Sequence, residues 1–171
     1  VVPHNPQPQV ELKIDIDKYT VALGEEVSFT FSSSEDGYVT LWDVGTSGKI
    51  TRIYPNSYGG DMQVKAGVKY GAGGADDAFR FIATGKVGME YVYLVWSRTA
   101  KQQPKDKSFL STRAFSKDLE VVASQRDEDW ATTSVSFEIV PKGYNTRAAA
   151  PAYQQPSHLP KGVINVQNNV Y

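Results

Sequence analysis

Residues 36–56, DGYVTLWDVGTSGKITRIYPN, alternate with period two on both sides of a glycine-bearing turn. Tyr38, Thr40, Trp42 and Val44 fall on one face, and Val39, Leu41 and Asp43 fall on the other. After Gly45 and Gly48, Ile50, Arg52 and Tyr54 alternate with Thr51 and Ile53. Runs of this kind, rich in aromatic and β-branched residues and joined by a short turn, predict a β-hairpin. Pro55 has no N–H to give to a ladder and ends the second strand. Bulky apolar residues on both faces place the hairpin inside a sheet rather than at its rim.

The flanking chain extends the same pattern. Val10, Leu12, Ile14 and Ile16 alternate with Glu11, Lys13, Asp15 and Asp17, a strand with one charged face. Tyr19, Val21 and Leu23 continue it, and Val27, Phe29 and Phe31 form the next strand. Met62 and Val64 fit a short strand, whereas the glycines between 67 and 74 predict a long loop. Phe79, Phe81 and Ala83 alternate again. MEYVYLVWS, residues 89–97, is apolar on both faces and reads as a central strand. Phe109, Leu110, Phe115, Leu119 and Val122 follow helical spacing, with Ser116 as the expected N-cap. Ala131, Thr133, Val135, Phe137 and Ile139 make the last strand of the unit, ended by Pro141.

Seven or eight strands at this spacing predict an all-β chain, an immunoglobulin-like antiparallel β-sandwich with one short helical insert. Four segments follow: an extended arm at 1–9, the sandwich at 10–143, a Pro-rich linker at 144–162 and a terminal strand at 163–171. The linker is poor in large aliphatic residues and cannot bury a core of its own.

Several chemistries are disfavoured. Cysteine is absent, and the histidines, His4 and His158, lie in the two Pro-rich arms, so neither a histidine-based triad nor a zinc site is expected. Asp76-Asp77 and Asp127-Glu128-Asp129 lack the spacing of a calcium loop and read as charged turns. Trp42, Trp96 and Trp130 read as core residues rather than sugar platforms. The glycines at 71, 73 and 74 have no following Lys-Ser/Thr to make a phosphate cradle. A net charge of -1 offers no basic face for nucleic acid, and no window is apolar for the ~20 residues of a membrane span. No catalytic residue, metal or cofactor is expected. The Pro/Gln-rich start, with neither signal peptide nor initiator methionine, fits a processed, exported chain.

Tyr19, Gly24-Glu25, Val27, Phe29, Asp36-Gly37-Tyr38, Trp42, Gly48-Lys49-Ile50 and Tyr54-Pro55-Asn56 form a series of short blocks. Val64-Lys65-Ala66-Gly67, Phe79-Arg80-Phe81 and Gly85 with Gly88-Met89-Glu90 continue it. Together they resemble the bacterial domain of unknown function 4384, over residues 19–97. The resemblance implies a small β-rich accessory module of exported or multidomain proteins, and it brings no catalytic residues. This chain departs from the family at residues 70–74, YGAGG, where a flexible loop is expected instead of a proline-bearing strand start.

VINVQNNVY, residues 163–171, is a strand pattern at the end of an extended linker. A lone strand must find a sheet edge for its backbone groups, either at home or on another molecule. The leading expectation is exchange with copies of itself, through Val163, Ile164, Val166, Val170 and Tyr171. The chain would then be a non-enzymatic structural subunit of an exported bacterial filament, ring or envelope assembly, at the cell surface or in the periplasm, with other envelope proteins as further partners. The alternative is a monomeric glycan- or protein-binding module that uses Tyr58 and Tyr70 in the 57–77 loop.

Overall fold

In a computed structural model, residues 5, 8–45, 48–123, 126–144 and 162–168 are described. In chain order the strands are β1 (Leu12–Ile16), β2 (Thr20–Ala22), β3 (Glu26–Val27), β4 (Phe29–Ser33), β5 (Gly37–Val44), β6 (Ile50–Tyr54) and β7 (Gln63–Val64). β8 (Tyr70–Ala72), β9 (Phe79–Gly85), β10 (Gly88–Ser97) and β11 (Ser108–Phe109) come next, then helix α1 (Thr112–Ala123), β12 (Trp130–Val140) and β13 (Gly162–Asn168). The fold is therefore mostly β, as expected.

β5 and β6 pair antiparallel across the turn, as the alternation predicts, and β5 is covered on its other side by β10. The large sheet runs β11-β6-β5-β10-β12-β2, with β7 beside the start of β5. Two smaller sheets, β1-β4-β8 and β13-β9-β3, complete the described architecture. Val39, Leu41, Val92, Leu94 and Trp96 project from the inner face of the large sheet into a core shared with Phe29, Phe31, Phe79, Phe81 and Phe137. Each such side chain contributes about 1.5–3 kcal/mol through removal of apolar surface from water. The outer face carries a second cluster, in which Trp42 meets Phe115 at 4.9 Å and Phe109 at 5.6 Å between ring centroids.

The predicted run 27–31 is divided. The Asp17 carboxylate accepts the Ser28 N–H at 2.8 Å, and the Asp17 N–H donates to the Ser28 carbonyl at 3.1 Å. Ser28 is thereby taken out of both ladders, so β3 joins β9 while β4 joins β1 and β8. The loop expected at residues 70–74 contains strand β8, held by the Phe29–Phe31 register and by the Tyr70 ring stacked on Phe31 at 5.9 Å. Glycine content concealed a strand whose stability comes from its neighbours. Gly73, at φ 77, then turns the chain where a Cβ would meet the Phe81 ring. The helix begins earlier than its expected cap: the Ser111 hydroxyl accepts the Ala114 N–H at 3.2 Å, so Ser111, not Ser116, caps α1.

Within the single chain, the terminal strand β13 pairs in parallel with β9, from Gly162 opposite Phe79 to Asn168 opposite Gly85. β9 otherwise has β3 on one side alone, and β13 fills the open side.

Candidate functional site: the seat of the C-terminal strand

β9 presents Phe79, Phe81 and Ala83 to the core, all buried. β13 lies beside it and packs onto β5 and β10 as well. Val166, opposite Ala83, is fully buried, and Ile164, opposite Phe81, is packed against the same core. Val163 takes its place opposite Arg80. Val170 and Tyr171 lie outside the described residues, as do His4 and His158.

The strand enters its seat through a glycine. The Gly162 N–H donates to the Ala78 carbonyl at 3.0 Å, and the Tyr58 ring lies directly against its α-carbon. A side chain at 162 has no room. Tyr58 is half exposed, and its N–H donates to the Asn56 side-chain oxygen at 2.9 Å, which fixes the turn that carries it. Tyr70 is placed differently. Its hydroxyl accepts the Lys65 N–H at 2.9 Å and its ring belongs to a row in which Phe79, Tyr54 and Phe31 follow at centroid spacings of 6.5, 5.3 and 5.9 Å. The two tyrosines of the predicted ligand loop thus stand apart in role: Tyr70 belongs to the aromatic row, and Tyr58 lies against Gly162. Tyr58 covers the start of β13, and Tyr70 holds β8.

Beneath the same layer is a feature the sequence reading did not single out. Asp43 on β5 and Glu90 on β10 are both buried on the inner face. The Glu90 carboxyl is pushed up to about 10, first by burial and then by the adjacent Asp43 charge, so it holds its proton at neutral pH. Its signal in the sequence was positional: Glu90 occupies the alternation shared by Val92, Leu94 and Trp96.

The acidic turns are engaged locally. The Asp77 carboxylate accepts the Gly74 N–H at 2.9 Å, and Asp129 accepts from Arg98 Nε at 3.0 Å. Among the described residues no group of three or more His, Cys, Asp or Glu side chains converges as metal ligands. No described helix is long and apolar enough to cross a membrane. Asn5 is buried, and its side-chain amide donates to the Asp127 and Trp130 carbonyls at 2.6 and 2.8 Å.

No curated protein matches the chain. Residues 20–100, from β2 to just beyond β10, match a family described as Domain of unknown function (DUF4384). That span includes β9 and Tyr58, the floor and doorpost of the seat, and it stops short of β12 and β13. Over this span the chain is similar to the DUF4384 family.

Proposed function

We propose that the chain is a non-enzymatic structural subunit of an exported bacterial assembly, in which β13 is the joining strand and the open side of β9 its seat. In this reading the fold is an immunoglobulin-like sandwich working at the cell surface or in the periplasm, and copies of the same chain are its partners. The observation that supports it is the seat itself. β13 adds a buried valine and a full parallel register to a domain from which it is separated by residues 145–161. Nothing in those contacts depends on which copy supplies the strand, so exchange between copies would reuse them.

The tether provides the test. β12 ends beside Gly88, whereas β13 begins beside Phe79, one β9 length away or about 20 Å. From the end of β12, residues 141–161 span ~65 Å when extended, and removal of residues 143–160 leaves ~9 Å. The shortened chain cannot seat its own strand and is expected to form dimers or larger species by light scattering, while a chain ending at Tyr144 stays monomeric. A shortened chain that is monomeric at all concentrations sinks the proposal.

A second reading, a monomeric binding module for a glycan or protein of the envelope, draws on Tyr58, which is 50% exposed on a fixed turn. It predicts loss of ligand retention in Tyr58→Ala with no change of mass in solution.

A further inference from the structure

The other side of β13 leads to a separate contact. In a parallel ladder the N–H and C=O of one residue point to the same neighbour, and successive residues alternate. The Gly162 N–H points to β9, where it meets the Ala78 carbonyl. Ile164 and Val166 therefore also direct their backbone groups to β9, and Val163, Asn165 and Gln167 direct theirs away from it. Among the described residues no strand pairs with that outward row, because β13 is the end of its sheet.

Unpaired edges in natural sheets are blunted by shortness, charge or proline. The other sheet ends of this molecule follow that rule. β2 and β8 have three residues each, and β3 and β11 have two. β1 has five residues, with Lys13 and Asp15 exposed along it. β13 has seven residues, GVINVQN, with no charge and no proline. Among the described strands that end a sheet, it is the one that is both long and undefended.

We propose that the outward edge of β13 is a two-fold interface, on which β13 of a second copy pairs antiparallel with the axis passing beside Asn165. The occupant follows from charge and length. An uncharged strand meets no like charge when laid against itself, and no other described strand that ends a sheet is long enough to match seven residues. Centred at 165, such a pair joins the backbone groups of Val163, Asn165 and Gln167 on each strand, ~6 hydrogen bonds in all. The contact is isologous and closes as a dimer. It forms whether β13 is seated at home or exchanged, and so it does not depend on the preceding reading.

Proline scanning of β13 in the full chain separates the two contacts. Asn165→Pro removes an outward N–H and leaves the β9 ladder its donors, while Val166→Pro removes a donor to β9. Sedimentation equilibrium of the unaltered chain is expected to show a monomer–dimer equilibrium. Asn165→Pro should abolish it, and Asn165→Lys, which adds like charges across the axis, should weaken it about tenfold or more. Amide exchange at Ile82 and Thr84, whose N–H groups face β13 in this ladder, should stay slow in both Asn165 variants and become fast in Val166→Pro. An unaltered chain that stays monomeric at millimolar concentration overturns the proposal. So does a dimer that survives both Asn165 substitutions, which identifies strand exchange as its cause.

Discussion

The α-carbon of Gly162 lies against the Tyr58 ring, so that the first residue of the C-terminal strand is clamped by a side chain from the turn after β6. Gly162 needs no unusual backbone angle here; its reason is space. Gly162→Ala is expected to push the strand off the ring and to cost about 1–3 kcal/mol, the range for overpacking a closed site. Tyr58→Ala opens the space, so the double variant should recover part of that loss. Urea unfolding of the two single variants and the pair checks this. Equal, additive losses would mean that the two residues do not share a contact.

Glu90 makes a prediction about pH. Its folded value of about 10 lies far above the ordinary 4.5, so across that interval the folded chain keeps a proton that the unfolded chain releases. Protons held by the native state mean that stability falls as pH rises, beginning near 4.5 and ending near 10. Below 4.5 the burial of a neutral carboxyl has no such penalty. Glu90→Gln removes the titration and keeps the shape. The variant and parent should be similar at pH 4, and the variant more stable by about 1–3 kcal/mol at pH 8. Thermal melts at both pH values provide the comparison; a gap that is constant with pH argues against a protonated Glu90.

The hairpin at residues 36–56 was legible because both of its faces carry their own apolar pattern, and the two faces became the two core clusters. Alternation alone also located β9, β10 and β12. What it could not convey was the choice of neighbour. Residues 27–31 read as one strand, yet a single carboxylate, Asp17, divides them between two sheets. β8 was concealed because glycine speaks for a loop locally while Phe31 and Phe29 speak for a strand across the sheet. The terminal strand was visible as a strand, but its destination was not, since period two says which face is apolar and nothing about which edge is open. Of the expected site residues, Tyr58 reached the seat and Tyr70 did not, because Tyr70 is drawn into the stack on Phe31. Glu90 went unremarked because an acid at an inward position is uncommon, and only a structure shows the second acid facing it.

The N-cap of α1 separates two serines that sequence pattern cannot rank. Ser111 accepts the Ala114 N–H through its hydroxyl and the Phe115 N–H through its carbonyl, at 3.2 Å each. Ser111→Ala leaves the first of these donors to water and should cost about 0.5–2 kcal/mol. Because Phe115 plugs the outer cluster against Trp42, fraying of the first turn should also loosen that contact. Amide exchange at residues 113–116 and Trp fluorescence should change together; fluorescence that does not move would separate the cap from the cluster.

Gln103 ties the loop before α1 to the centre of the large sheet. Its side-chain oxygen accepts from the Thr40 hydroxyl at 2.7 Å, and that hydroxyl in turn accepts from Trp42 Nε1 at 2.7 Å. Its amide nitrogen donates to the Tyr38 and Val95 carbonyls and to Ser97 Oγ, at 2.9, 3.1 and 2.9 Å. The site is buried, so water cannot replace what a substitution removes. Gln103→Leu fits the volume and strands these groups, with an expected loss of about 2–4 kcal/mol. Gln103→Glu is a sharper probe. Protonated, it keeps one donor for the three acceptors; ionised, it faces two carbonyl oxygens with no donor at all. Its stability should therefore drop further as pH rises above the ordinary carboxylate range, where Gln103→Leu stays flat. Denaturant midpoints for the two variants at pH 5 and pH 8 measure this directly, and parallel curves would show that the amide donates nothing essential to the sheet.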